Sequence, residues 1–96
     1  MKVLFAIQDA AQLAPPVLAY VVSCDFDARG GQGSIRFSKD LADAMRFPDV
    51  IEALDYWRKP SPLFPVRSVD GRPNRPLTAY TVVVMEEGED PRKLGI

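Results

Sequence analysis

Ninety-six residues, 47% hydrophobic and 26% charged, suit one domain with one modest core, which would bury roughly 60–70% of its unfolded surface. With no histidine and a single cysteine, Cys24, the chain lacks the commonest acid/base group and has neither an internal disulfide nor a thiolate metal set. The net charge is −1, yet residues 1–57 hold five basic against eight acidic residues (−3), 58–76 five against Asp70 alone (+4), and 77–96 two against four (−2).

Val3 to Ile7 forms an apolar run of five residues, a first strand or a frayed end, and too short for a signal peptide or a membrane span. A soluble, cytoplasmic protein in a reducing compartment is therefore expected, with no membrane partner. Gln8 to Pro16 reads as a connection closed by Pro15 and Pro16. Val17 to Phe26 is rich in β-branched and aromatic residues and reads as a central strand, with Leu18, Tyr20, Val22 and Cys24 on one parity and Val17, Ala19, Val21 and Ser23 on the other. Asp27 to Gly33 is a flexible turn, after which Ser34 to Phe37 returns antiparallel with Ile35 and Phe37 on one face.

Ser38 and Asp40 cap a short helical turn reaching Met45. Pro48 and Asp49 then open the main helix. Val50, Ala53, Leu54 and Trp57 recur at helical spacing, Ile51 widens the stripe, and Glu52, Asp55 and Arg58 face away. Pro60 and Pro62 end the helix by Lys59. Ser61 to Pro76 is punctuated by Pro62, Pro65, Asp70 with Gly71, Pro73 and Pro76, and reads as an ordered, partly extended basic loop, since prolines restrict the unfolded chain too.

Leu77 to Met85 is the last strand, apolar on both parities and so covered on more than one side, by its own chain or by another. The domain is expected to span 1–85, with 86–96 a mobile acidic tail. The sum is an α+β fold: a two-layer sandwich with an antiparallel sheet of three to four strands and one main helix packed on one face.

The run Asp70, Gly71, Arg72, Pro73, Asn74, Arg75, Pro76, Leu77, Thr78, Ala79, Tyr80, Thr81, Val82 resembles the C-terminal signature of small proteins carried by bacteriophages and prophages of proteobacteria. Ala44, Arg46, Phe47 and Ala53 follow the spacing of the same proteins, and the likeness covers about Val17 to Val84. It implies a phage or mobile-element origin and a host-cell cytoplasmic location. It supplies no catalytic residue.

Each candidate chemistry competes with a plainer role. Asp25, Asp27, Asp40 and Asp43 lack the ligand spacing of a calcium loop and suit solvated turns. Gly30, Gly31 and Gly33 have no following Lys and Ser/Thr pair, so a hairpin that needs positive φ explains them better than a phosphate loop. Cys24 has no histidine to deprotonate it and suits core packing. Trp57, Tyr56 and Phe64 beside Arg58 and Lys59 form either a stacking surface for single-stranded nucleic acid or a core seal with snorkelling neighbours. Arg67, Arg72 and Arg75 either reach a partner or pair with Glu52, Asp55, Glu86 and Glu87.

The expectation is a non-enzymatic binding protein without cofactor or metal, acting by occupying a host or phage protein surface, with an anti-CRISPR-like inhibitor of a bacterial defence system as its sharpest form. Its binding residues would be Arg58, Lys59, Arg67, Arg72, Arg75 and Tyr56. The alternatives are a nucleic-acid accessory module using the loop 58–76, and an assembly subunit dimerising through strand 77–85.

Overall fold

The computed structural model describes residues 1–9 and 16–94. One antiparallel sheet of four strands, β1 (Lys2–Asp9), β2 (Ala19–Asp25), β3 (Ser34–Ser38) and β4 (Tyr80–Glu86), lies in the order β3-β2-β1-β4. A four-residue turn, α1 (Ala28–Gly31), joins β2 to β3, and the main helix is α2 (Val50–Trp57). This is an α+β fold.

β1 is a central strand, paired on both edges, and Val3, Leu4, Phe5 and Ala6 are all buried. It runs through Gln8 and Asp9, where a connection was expected; residues 10–15 of that connection lie outside the described residues. Leu4 and Ala6 face α2 and join Val21, Phe26, Phe47, Ala53 and Leu77 in the larger core cluster. Val3 and Phe5 face the other way and meet Tyr20, Ala44 and Met85. Phe5 and Tyr20 pack edge to face at 5.1 Å, the geometry aromatic quadrupoles favour.

The parity expected for β2 holds only as far as Val21. Its register against β3 shifts between Val21 and Ser23, so Val21 and Cys24 both pack toward the α2 side although three residues separate them. The extra residue of a bulge reverses the alternation.

Asp49 caps α2 by accepting the N–H of Glu52 at 2.8 Å. The helix buries Ala53 and half-buries Tyr56 and Trp57, while Val50 and Ile51 are exposed, Ile51 at 69%. The stripe is rotated from the expected one because Tyr56 sits between Phe26 and Phe47, at ring distances of 5.3 and 5.4 Å. The Trp57 indole N–H donates to the Tyr80 carbonyl at 3.2 Å and ties the helix end to β4.

The last strand also begins later than expected. Pro76–Ala79 is a single 3-10 turn that drops Leu77 into the core, and β4 starts at Tyr80. Val82 and Val84 then pack toward α2, and Val83 and Met85 toward the opposite face. Both faces of β4 are met within the chain, where Val82 and Val84 are half-buried. The domain boundary expected at residue 85 falls inside β4, whose last residue is Glu86. Beyond it, the Glu87 N–H donates to the Met1 carbonyl, its carboxylate pairs with Arg46, and Pro91–Leu94 form another 3-10 turn. Among the described residues no helix is long and apolar enough to cross a membrane.

Candidate functional site

The proline-rich segment that follows α2 folds into an arm. The Arg67 N–H donates to the Arg72 carbonyl at 2.8 Å, the Asn74 N–H to Pro65 at 2.9 Å, and the Ser61 N–H to Asn74 at 3.0 Å, with a bridge between Val66 and Pro73. Residues 61–74 therefore run out and back as an irregular two-stranded ribbon. Its tip is closed by the Gly71 N–H donating to the Arg67 carbonyl at 2.9 Å and the Arg72 N–H donating to Asp70 Oδ1 at 3.0 Å. Gly71 takes φ 70°, a conformation glycine adopts without steric cost.

Polar atoms fasten this arm to the β2–β3 turn. Asp27 Oδ1 accepts the Ser61 hydroxyl at 2.6 Å and the Leu63 N–H at 2.9 Å, and Ser61 Oγ accepts the Phe64 N–H at 3.1 Å. These bonds, the Ser61 hydroxyl first and the Leu63 N–H second, hold the Asp27 carboxyl below its ordinary range. From the returning strand, Asn74 Nδ2 donates to the Gly31 carbonyl at 2.6 Å and the Phe64 carbonyl at 2.9 Å.

The glycines permit this approach. A Cβ on Gly31 would lie 2.6 Å from Asn74 Nδ2, and one on Gly33 would lie 2.6 Å from Pro76 Cβ. The positive φ expected of Gly30, Gly31 and Gly33 is present, and close packing adds a second reason at two of them.

Between arm and turn lies an open groove of about 730 Å³. Arg29, Arg67 and Arg75 line it, with Phe64, Val66 and Val69 among its apolar walls. Of the six expected binding residues, the structure brings only Arg67 and Arg75 to this groove. Arg72 lies on the arm's returning strand. Arg58 sits at the end of α2, paired with Asp55 at 3.0 Å, and Lys59 stands 5.0 Å from the Phe26 ring centroid. Tyr56 belongs to the core, where desolvation raises its phenol pKa.

The intramolecular pairing weighed for the arginines is realised by other partners. Arg67 reaches Asp70 at 3.6 Å, while Glu86 and Glu87 are taken by Lys2 and Arg46. Among the described residues no carboxylate pairs with Arg72 or Arg75.

Arg29, Asp27, Ser61 and Asn74 were missed as site residues. Asp27 and Ser61 are 34 positions apart and nothing in their spacing joins them, whereas Arg29, a lone cation inside a glycine turn, was a visible anomaly.

Cys24 is half-buried, and its thiol is pushed up to about 11, by desolvation first and the Asp25 charge second. At neutral pH it is a packed thiol, far from the thiolate a nucleophile requires. Among the described residues, no group of three or more Cys, Asp or Glu side chains is placed to hold a metal ion. No protein-family profile, curated protein or solved structure matches the chain.

Proposed function

We propose that this protein works by binding, pressing the arm of residues 61–74 against the surface of another protein. One observation carries the reading: the arm leaves Leu63, Phe64, Val66 and Val69 in water, Leu63 at 71% and Val69 at 87%, although the sheet beside it buries its own large side chains. Apolar anchors beside arginines are the composition of protein interfaces. The polar fastening at Asp27 and Asn74 supports it further, because an arm held in place loses less entropy on docking. The finer version, an inhibitor of a bacterial defence system carried by a mobile element, rests on the resemblance in the run from Asp70 to Val82.

The nucleic-acid reading draws on Arg29, Arg67 and Arg75. It is the weaker one, since Tyr56 and Trp57 pack against the core and leave Phe64 as the exposed member of the aromatic platform it called on. Pairing of β4 with a second copy draws on its place at the sheet edge.

The test compares proteins captured from a bacterial lysate by the immobilised wild-type chain and by a Leu63→Ser, Val69→Ser variant of unchanged melting temperature. Proteins retained by the first and lost by the second are expected. Identical captured sets would remove the arm as the contact.

A further inference from the structure

We infer that the groove between the arm and the β2–β3 turn takes an extended acidic polypeptide segment of the partner, with Arg29 as a specificity-determining residue. The inference rests on the binding reading above and names the chemistry of what is bound.

Charge is the first ground. Among the described residues three guanidinium groups line the groove against one lining carboxylate, Asp9, and Asp9 is itself already partnered. Arg67 is partly satisfied by Asp70, but Arg29 and Arg75 have no carboxylate partner among the described residues. Two planar cations facing one groove beside apolar walls complement a chain bearing carboxylates and an apolar side chain, because guanidinium and carboxylate pair through two parallel hydrogen bonds.

The backbone supplies the second ground. Arg29 takes φ 54° and ψ 40°, a left-handed conformation that disfavours any residue with a Cβ. Gly30 and Gly31 follow it, and a third glycine at position 29 would adopt the same turn without that cost. An arginine held there carries strain that glycine would relieve. What it gives is a long cation at the groove, and strain of this kind gathers at binding sites.

The walls decide between classes of polymer. Among the described lining residues Phe64 is the only aromatic one, the rest of the apolar wall being valine, proline and Ala79, which accept a leucine or valine side chain better than a stack of bases. Asn74 lines the groove too, but its side-chain amide donates to the Gly31 and Phe64 carbonyls.

Fluorescence anisotropy on the full chain tests this with four labelled probes: a peptide with glutamates on both sides of one leucine, the same peptide with glutamines, the same with lysines, and oligothymidylate. The acidic peptide should bind about tenfold tighter than the glutamine peptide at low salt, the scale of one charge-assisted pair, and lose that margin as salt screens it. Arg29→Gly should remove most of the margin while the melting temperature holds or rises, and Arg75→Gln should weaken the acidic probe with no change in melting temperature. No binding of the acidic peptide, equal binding of the glutamine or lysine peptide, tighter binding of oligothymidylate, or wild-type affinity in Arg29→Gly would each overturn the inference. If the arm-dependent capture of proteins survives any of these results, protein binding stands and only the acidic segment falls.

Discussion

The sheet and α2 exclude water from each other's apolar surface, whereas the arm of residues 61–74 leaves its apolar surface wet and is fastened by polar atoms. In the sheet, Val3, Leu4 and Ala6 have no exposed surface, and the two core clusters lie on opposite faces of the same strands. In the arm, Leu63 to Arg72 are all exposed, and the fastening consists of hydrogen bonds through Asp27, Ser61 and Asn74 and two glycines that allow close contact. The difference separates two ways of holding shape. Burial of apolar area stabilises the sheet without directional demands, while a few directional bonds hold the arm's shape without burying its apolar side chains.

The largest effect expected is in the sheet. Leu4→Ala removes a fully buried side chain from the larger cluster and should lower unfolding stability by about 2–5 kcal/mol, read as a drop in urea midpoint with unchanged slope. Asn74→Ala should act on the arm alone. It leaves the Gly31 and Phe64 carbonyls without that donor, at a cost of about 0.5–1.5 kcal/mol per bond, and amide exchange should quicken at Arg67 and at position 74 while Phe5 and Val21 keep their protection. Equal loss in both regions would show that arm and sheet open as one unit and would break the comparison.

Acid should separate the regions next. The Asp27 carboxyl is held below its ordinary value of 3.8, so its contribution is complete above that pH and is lost as pH falls through the lower folded value. NMR should show the Leu63 and Phe64 amide signals moving in that range before those of Phe5 and Val21. Amides of β1 shifting first would contradict the role given to Asp27. The smallest effect belongs to Asp55→Ala, which releases Arg58 from a surface pair and should change stability by less than about 1 kcal/mol in a double-mutant cycle with Arg58→Ala.

Much of the fold was readable from local pattern. The bounds of α2 follow from the Asp49 cap, the helical spacing and the prolines beyond it, and β3 returns where the glycine turn ends. The arm was not readable as a ribbon. Arg67, Pro73 and their neighbours show no alternation, and the pairing comes from backbone groups, which every residue but proline presents alike. The bulge in β2 was equally hidden, because one extra residue reverses which side chains face α2 without altering composition. Within the groove, Arg67 and Arg75 are legible from the distribution of charge, whereas Arg29 is not, because it lies 38 positions before Arg67 in a segment whose net charge is acidic.

By itself, then, the sequence determined the element types, the antiparallel hairpin, the main helix and the concentration of positive charge in one proline-rich stretch. These depend on periodicity, caps and composition, which are local properties. Only the tertiary structure decided that the glycine turn and the basic stretch are two sides of one groove. That contact joins residues tens of positions apart through a carboxylate, an amide and two missing side chains at Gly31 and Gly33, and no periodicity records such a meeting.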